Sequence, residues 1–502
     1  MPLEHFDVLI LGAGLSGIDA AWHLQRYAAG KRFAILEARD RIGGTWDLFR
    51  YPGIRSDSDM LTMGYAFRPW TDANAIADGH LIRTYIEDTA REAGIESKIR
   101  FRHRVVSLRW SSAQSRWEVE AIRRDAAGHE ETVRFHAGFV ASCAGYYRHS
   151  AGYDPGFAGR DRFRGTIVHP QHWPEGLEIS GKRVIVIGSG ATAVTLVPAL
   201  AKSAAHVTML QRTPTWIVSR PPQDPIANAL RRILPESLAF RISRWKNTIL
   251  QQILYRLSRR HPERMKRLLI DQARAHLGPN VDVEKHFTPD YAPWEQRLCL
   301  VPNGDLFRAI REERASVETD TIETFTEKGI LLGSGRELEA DLIVTATGLV
   351  LEQFGGAEVV VDGERVDFSK RLTYRGVMFE DVPNLVSVFG YINASWTLKA
   401  DLVCQFLCRL LRRMDERGMS QATPRNLRGV EPVAPWIEGF SPGYVLRSID
   451  EWPKQGASDP WRSRQSFFDD WKALRFGALD DPELELSSPL RPARALAKPV
   501  AA

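Results

Sequence analysis

The chain has 502 residues, of which 44% are hydrophobic and 26% charged, so it is long enough for two or three domains and too apolar for a disordered chain. No apolar run is long enough to span a bilayer, and the first strand begins too early to leave room for a signal peptide, which predicts a cytoplasmic location. The net charge of +5 would suit nucleic acid if it were spread over one surface, but the excess is local.

The first predicted unit is a strand, a glycine-rich turn and a helix. The apolar stretch FDVLILG leads into Gly12, Gly14 and Gly17, which fit the pattern GxGxxG, and the helix LSGIDAAWHLQRYA follows. About 20 residues later the run FAILE ends in Glu37, and a carboxylate at this distance accepts hydrogen bonds from a ribose diol. The unit therefore predicts an FAD site.

A second unit of the same kind follows the strand RVIVIG. Its turn and first helical residues are Gly188, Ser189, Gly190, Ala191, Thr192, Ala193 and Val194. After the next strand, HVTMLQ, the chain has Arg212 and Thr213 where the first unit has an acid. A guanidinium pairs with a 2′-phosphate, so this unit predicts an NADP(H) site, and the two units together predict hydride transfer. The alternative is a pair of ordinary βαβ units without ligands.

Basic residues are concentrated between Arg231 and Arg274, where they alternate with Leu, Ile, Phe, Trp and Tyr at helical spacing. The pattern predicts an amphipathic helical insertion within the second unit. Three interpretations stay open, namely a solvated basic face over a domain core, a surface that docks to anionic lipid, and a nucleic-acid patch. The first is favoured. No nucleic-acid-binding motif accompanies the segment, so we expect no nucleic-acid partner.

The predicted fold is α/β, with two Rossmann-like dinucleotide-binding domains and a helical insertion in the NADP domain. The predicted boundaries are residues 1–150 and 381–486 for the FAD domain, 160–222 and 295–380 for the NADP domain, 223–294 for the insertion and 487–502 for a flexible tail. The four cysteines lack the spacing of a disulfide framework or a zinc site, so no metal site is predicted.

Two further motifs carry a resemblance to a known family. Phe163, Gly165, His169 and Trp173 fit FxGxxxHxxxWP, and the segment from Gly43 to Asp57 fits GGxWxxxxYPGxxxD. In these motifs the chain resembles the Baeyer–Villiger monooxygenases, which are class B flavoproteins that use FAD and NADPH. The stretches PWEQRLCLVPNGDLFRAIR and NASWTLKADLV look most like the ethionamide-activating subgroup of actinobacteria.

The resemblance implies a reaction and two catalytic residues. The family uses O2 to form a peroxide on reduced FAD, which converts ketones to esters or lactones, and this subgroup also oxidises sulfides and thioamides. Arg297 matches the family's active-site arginine, whose fixed charge would stabilise anionic oxygens, and Asp57 would orient it. Several relatives have a lysine before this arginine, whereas this chain has Gln296, so the preference for NADPH over NADH is open.

The resemblance and the positions of the residues also imply cofactor contacts. The expected FAD contacts are Ser16, Thr45, Trp46, Asp47, Leu48 and Val105. Arg55, Ser56 and Asp57 are expected to face the nicotinamide, and His169 is expected to act at a hinge between domains rather than as an acid or base. Asn393, Ser395 and Trp396 are expected to border the substrate pocket.

Two other functions remain as alternatives. One is an N- or S-oxygenating flavin monooxygenase, which would accept only soft nucleophiles. The other is a redox or scaffold protein at a membrane surface, in which the basic helices dominate the role and the location is membrane-associated. The physiological substrate and the oligomeric state are left open.

Overall fold

The computed structural model describes residues 3–489 of the chain, so the predicted tail lies outside the described residues from 490 onward. Within the described range no helix is both long and apolar enough to cross a membrane. The helices are Leu15–Tyr27 (α1), Thr45–Leu48 (α2), Met60–Met63 (α3), Gly79–Glu92 (α4), Ala191–Leu200 (α5), Pro225–Ile233 (α6), Glu236–Arg260 (α7), Pro262–Leu277 (α8), Val283–Phe287 (α9), Asp305–Arg311 (α10), Trp396–Arg417 (α11), Gly443–Leu446 (α12) and Phe467–Arg475 (α13).

Short strands make up most of the remaining regular structure. They are Glu4–Leu11 (β1), Phe33–Leu36 (β2), Ile99–Arg100 (β3), His103–Ser111 (β4), Arg116–Arg124 (β5), Glu130–Ser142 (β6), Thr166–Val168 (β7), Arg183–Ile187 (β8), His206–Gln211 (β9), Ile217–Arg220 (β10), Cys299–Pro302 (β11), Ala315–Thr319 (β12), Ile322–Phe325 (β13), Gly329–Leu332 (β14), Glu337–Glu339 (β15), Leu342–Thr345 (β16), Glu358–Val361 (β17), Glu364–Arg365 (β18), Thr373–Tyr374 (β19), Met378–Phe379 (β20), Leu385–Ser387 (β21), Gln421–Pro424 (β22), Pro432–Pro435 (β23), Lys454–Gly456 (β24) and Leu484–Ser487 (β25).

The first sheet has a parallel part and an antiparallel part that share one long strand. Its order is β18-β17-β4-β5-β6-β1-β2-β3, and β21 also pairs with β6. The first half of β6 pairs antiparallel with β5, whereas its second half lies parallel between β1 and β21. Residues Val8–Leu11 are buried on both faces, as strands in the middle of a parallel sheet must be. This parallel part is the predicted FAD-binding unit.

The second sheet is fully parallel, in the order β12-β9-β8-β16-β7. Helix α5 follows β8 and packs on one face of the sheet, in a core that also contains α8 and α10. The antiparallel strands β13, β14 and β15 cover the other face. The parallel part of the first sheet and the fully parallel second sheet each contain a strand followed by a glycine turn and a helix, which confirms the predicted fold class.

One predicted boundary differs from the structure. The sequence places the return to the first domain at residue 381, but β17 already pairs with β4 of the first sheet from Glu358 onward. Strand β17 is only four residues long and has no glycine fingerprint, so nothing in its pattern distinguishes it from an edge strand of the second sheet. The remaining domain boundaries stay predictions.

The favoured interpretation of the basic insertion describes its longest helix only in part. A solvated basic face over a core requires the apolar residues of α7 to be buried. Ala239 and Phe240 are buried, but so are Ser243, Asn247, Thr248 and Gln252, while several leucines and isoleucines of the same helix are exposed. The helix packs this mixed face on the first domain, where hydrogen bonds to the segment around α3 add to the burial of Phe240.

The third glycine of the first fingerprint supports a quantitative prediction. A Cβ at Gly17 would lie 1.9 Å from the carbonyl oxygen of Gly12, so α1 would have to move away from β1. We expect Gly17→Ala to lower the free energy of unfolding by about 1–3 kcal/mol, the usual range for overpacking. Gly30→Ala, where no atom lies within 4 Å, is the matched control and should change it by less than about 0.5 kcal/mol. Equal values in denaturant titrations would contradict the packing argument.

Candidate active site

The first glycine turn leaves room for a phosphate and would lose it with any larger residue. Gly12 has φ +96°, and a Cβ there would lie 2.8 Å from the carbonyl oxygen of Cys143. The Glu37 carboxylate accepts hydrogen bonds from the backbone N–H of Ala13 (2.6 Å) and of Arg39 (2.8 Å), which places it at the mouth of the turn. Burial raises the pKa of Glu37 despite these hydrogen bonds. This cradle fits the pyrophosphate and ribose of FAD.

The turn after Glu37 is held by a buried carboxylate. Asp47, in α2, receives hydrogen bonds from the guanidinium groups of Arg39 (2.5 Å) and Arg50 (2.7 Å). Burial alone would raise the pKa of Asp47, but these two arginines hold it below its ordinary value. Because the arginines occupy its oxygens, the side chain shapes the turn. The contacts of Thr45–Leu48 and Ser16 with FAD stay predictions.

Val105 belongs to strand β4, which begins next to Glu37, and its contact with FAD stays a prediction. The backbone N–H of His103, at the start of β4, donates to the carbonyl of Glu37 (2.8 Å). The pairing of β4 with β5 then shifts between Val105 and Ser107, a bulge that leaves Val106 without a partner residue in β5. A bulge frees backbone groups, which suits recognition of a base edge.

The second fingerprint and its basic loop are joined directly. Gly188 has φ +128°, and a Cβ there would lie 2.4 Å from the carbonyl oxygen of Ala346, which repeats the geometry of the first turn. The Ser189 hydroxyl donates to the carbonyl of Thr213 (3.0 Å), and Arg212 beside it is exposed. Arg212 and Thr213 thus border the mouth of the second turn, where the sequence predicts the 2′-phosphate.

The segment after α2 forms the joint between the two domains. A Cβ on Gly53, whose φ is +76°, would lie 2.7 Å from Cβ of Ala199 in α5. Tyr51 is buried against the same helix with its hydroxyl on Thr192, and burial raises the pKa of Tyr51 to about 12. The YPG motif of the sequence is therefore an interdomain contact.

Two residues predicted to face the nicotinamide are engaged elsewhere in this structure. Arg55 donates two hydrogen bonds to Asp305 at the start of α10, at 2.5 and 3.2 Å. Ser56 is buried, and its hydroxyl accepts from the backbone N–H of Ala77 (3.2 Å). Both contacts position the segment that carries Asp57. Direct contact of Arg55 and Ser56 with a nucleotide stays a prediction.

Arg297 and Asp57 meet across the domain joint. Arg297 Nε donates to Asp57 Oδ2 (2.8 Å), and Nη2 donates to the same oxygen. The two side chains are 34% and 29% exposed, so the pair is partly accessible to solvent. Asp57 is the main cause that raises the pKa of Arg297 above its already high value, against the effect of burial. The guanidinium therefore stays charged at every working pH.

Aromatic residues that the sequence did not single out line the other side of Arg297. Tyr146 and Tyr444 lie close enough for its charge to influence them, although burial raises the pKa of both phenols. Tyr146 stacks on Trp396 with ring centroids 5.0 Å apart, and Trp396 Nε1 donates to the hydroxyl of Ser16 (2.8 Å). Their only sequence signal is that Tyr146 directly follows Gly145, where β6 leads out of the first sheet.

Trp396 is the one of three predicted pocket residues that is partly exposed. Asn393 and Ser395 are buried, and their side chains are used internally, Asn393 on the carbonyl of Gln465 and Ser395 on Thr62. Trp396 contacts Ser16 in α1 on one side and the ring of Tyr146 on the other. Its place at the pocket stays a prediction.

The FxGxxxHxxxWP residues form a second connection between segments. His169 Nδ1 accepts from the N–H of Gln171 (3.2 Å), and its Nε2 lies 3.3 Å from the carbonyl oxygen of Gly348, which follows β16. Burial lowers the pKa of His169, so the ring is neutral at pH 7 with Nε2–H as the donor. This arrangement suits the predicted hinge role better than proton transfer.

Phe163, Gly165 and Trp173 pack around the same connection. A Cβ on Gly165 would lie 2.5 Å from the ring of Phe163 and 2.6 Å from the carbonyl oxygen of Asp341. Phe163 is buried in the core beneath β13–β15, and Trp173 packs on the core of α5. The side chains of Phe163 and Trp173 are used in packing, and Gly165 leaves room for the ring of Phe163.

One buried cluster in the described part of the chain has the residue types of a metal site. Asp19, His23 and Cys404 each place a ligand atom within 4.8 Å of the others. His23 also lies between two carboxylates, 3.2 Å from Asp19 and 3.4 Å from Asp401. The two carboxylates raise the pKa of His23 well above its ordinary value, against the effect of burial. The cluster is an ion-paired link between α1 and α11.

Comparison with known proteins gives one family. Residues 7–275 match the model described as flavin-binding monooxygenase-like. The chain is 52% identical over 491 residues to the FAD-containing monooxygenase EthA of Mycobacterium tuberculosis, covering 98% of this chain and 99% of that protein. It is 50% identical to EthA of Mycolicibacterium smegmatis, covering 96% of this chain and 97% of that protein.

Solved structures share the fold at lower identity. An oxidised steroid monooxygenase bound to NADP matches with a TM-score of 0.75 and 22% identity, over 96% of this chain and all of that one. OTEMO in complex with FAD and NADP matches with a TM-score of 0.68 and 22% identity, over 84% and 88%. Cyclohexanone monooxygenase with bound ε-caprolactone has a TM-score of 0.68 and 20% identity, over 84% and 90%.

Proposed function

Because the chain belongs to the flavin-binding monooxygenase-like family, we propose that it is an FAD-containing, NADPH- and O2-dependent Baeyer–Villiger monooxygenase that converts ketones to esters or lactones. The family resemblance predicted from the sequence motifs is confirmed. The observation that carries the Baeyer–Villiger assignment is the Arg297–Asp57 pair, which is partly exposed at the joint between the two domains. Oxidation of sulfides and thioamides is the side activity that we propose with it.

The chemistry of a fold neighbour supports the choice of ketones. Cyclohexanone monooxygenase binds ε-caprolactone, which is cyclohexanone with one oxygen inserted into its ring. When bound, FAD supplies oxygen activation and NADPH supplies the two electrons. The protein supplies charge and position. Arg297, fixed by Asp57, stabilises negative charge that develops on the carbonyl oxygen of the substrate, in a site walled by Tyr146 and Tyr444.

The direct test is a labelling experiment. The purified protein is incubated with NADPH, labelled O2 and a linear aliphatic methyl ketone, and the products are analysed by mass spectrometry. We expect an ester that carries one labelled oxygen. Oxygenation of a sulfide or an amine without any ester would instead establish the N- or S-oxygenating alternative, and the absence of NADPH consumption would contradict the cofactor assignment.

Arg297→Ala should separate oxygen transfer from flavin reduction. We expect ester formation to fall at least about 100-fold, as for loss of a preorganised charge, while FAD content and NADPH-dependent bleaching of the flavin stay near wild type. Asp57→Asn should lower kcat more than it raises KM, because Arg297 loses the partner that orients it. Arg365→Ala, on an arginine whose side chain is 79% exposed in the first sheet, is the control. Unchanged ester formation in Arg297→Ala would remove this residue from the mechanism.

Arg212→Gln tests the nucleotide preference. Because Gln296 offers no charge, we propose that Arg212 carries most of the interaction with the 2′-phosphate, so kcat/KM for flavin reduction by NADPH should fall about 10–100-fold. The value for NADH should not change, since NADH lacks that phosphate. Arg336→Gln removes an exposed arginine of the same domain and should change neither value. An equal loss with both nucleotides would show that Arg212 is needed for folding or domain contact instead.

A further inference from the structure

Helix α7 presents its apolar side to the solvent. Ten of the sixteen exposed large hydrophobic residues in the described part of the chain lie on α6, α7 and α8, with exposures from 42% to 75%. They are Ile226, Ile233, Leu238, Ile242, Trp245, Ile249, Leu250, Ile253, Leu257 and Leu268. Seven of them are on α7, and most recur there every three or four residues, so they form a continuous stripe. Single exposed apolar residues are ordinary, but a stripe of this length marks a contact surface.

The inner face of α7 explains why the stripe cannot turn inward. Arg244 donates to the backbone carbonyls of Leu61 (3.1 Å), Thr62 (2.9 Å) and Gly64 (2.7 Å). Asn247 and Gln251 donate to Asp59, at 3.1 and 2.7 Å. Rotating the helix to bury the isoleucines would break these hydrogen bonds in a partly buried setting, which is costly. The outward stripe is therefore a fixed property of the folded chain.

Unpaired positive charge surrounds the stripe. Between residues 225 and 277 the chain has twelve lysines and arginines against three acids. Six exposed arginines form no ion pair within residues 3–489, and they are Arg232, Arg241, Arg256, Arg260, Arg264 and Arg267. Apolar residues with one Trp on a helix bordered by arginines are the combination that lies flat in the interface of an anionic bilayer.

The surface continues to the catalytic segment. Near the end of α7, Tyr255 packs edge-to-face on Trp294 with ring centroids 5.6 Å apart, and Arg259 lies 3.9 Å from Glu295. Trp294 and Glu295 lie three and two residues before Arg297 in the chain. A molecule dissolved in a bilayer under α7 would thus be next to the segment that carries the catalytic arginine.

From these contacts we propose that the exposed apolar residues of α6 and α7, with the arginines around them, form a surface that docks the protein on an anionic lipid bilayer. The enzyme then takes apolar ketones from that bilayer. The occupant is lipid rather than a second copy of the chain, because two such surfaces would bring the same unpaired arginines together. Nucleic acid would leave the apolar stripe in water. The part that concerns substrate rests on the proposed function, whereas the docking itself does not.

Vesicle sedimentation tests the docking. We expect the full protein to sediment with vesicles that contain about 30 mol % phosphatidylglycerol, less so at high salt, and weakly with phosphatidylcholine alone. Arg256→Gln with Arg260→Gln should lower the partition coefficient about 30-fold, since each basic residue near the surface contributes about fivefold. Ile249→Ser with Ile253→Ser should lower it at least about tenfold.

Matched controls separate the surface from the composition. Arg365→Gln with Arg412→Gln removes two exposed arginines elsewhere, and Leu427→Ser with Val433→Ser removes two exposed apolar residues elsewhere. Neither pair should change the sedimentation. Binding that is equal for neutral and anionic vesicles, salt-sensitive binding to an RNA oligomer in place of vesicles, or loss of a dimer in the Ile249 and Ile253 variant without vesicle binding would each overturn the proposal.

Activity on two ketones distinguishes this proposal from the proposed function. Butanone in solution should be oxidised equally by wild type and by both surface variants, because the catalytic residues are intact. A long-chain methyl ketone carried in anionic vesicles should be oxidised at least about fivefold more slowly by the variants. Ester formation from butanone without vesicle binding would support the proposed function and overturn the docking. Vesicle binding without ester formation would support the docking and overturn the proposed function.

Discussion

The ion pair between Asp57 and Arg297 is the contact on which the active site depends. Its two charges come from different domains and are half-buried, and a buried charge without its partner is strongly destabilising. The segment that carries Asp57 also places Tyr51 and Gly53 against α5 and Arg55 on Asp305. The same seven residues, 51–57, therefore set both the position of the catalytic charge and the contact between the domains. A movement of one domain would move that charge.

The basic insertion reinforces this joint from outside. It is continuous in sequence with the second domain, yet Arg231 and Arg244 donate to backbone carbonyls of the first domain between Leu61 and Asp72. A helix attached through hydrogen bonds to main-chain carbonyls needs polar residues on its inner side. Apart from Ala239 and Phe240, which are buried, most of the apolar residues then lie on the outer side, where water is a poor partner for them. The exposed stripe of α7 is thus a consequence of how the insertion is attached.

The sequence predicts most reliably what is local. Gly12, Gly17 and Gly188 are predicted from the spacing within a single βαβ unit, and the structure gives each a close backbone contact. For Gly17 that contact is Gly12 of the same unit, whereas Gly12 and Gly188 approach Cys143 and Ala346, which follow neighbouring strands of the sheets. Tyr146 and Tyr444 could not be found in this way, since they approach Arg297 only through folding of segments about 150 residues away. Helical periodicity predicted that the insertion is amphipathic, but it carries no information about which side faces the protein. That choice depends on Asp59 and the carbonyls of α3.

The environment of each arginine decides what its charge can do. Arg297 is held by a carboxylate, so its charge is fixed in direction and can act on a reacting oxygen. Arg244 is enclosed and uses its donors on carbonyls, which makes it structural. Arg212 is exposed beside a glycine turn, a position suited to a phosphate that arrives with a ligand. Arg256 and Arg260 have no ion-pair partner within residues 3–489 and lie beside no glycine turn, so an external anion is left to neutralise them. The same functional group therefore serves catalysis, architecture, nucleotide selection and docking, and residue type alone cannot distinguish these roles.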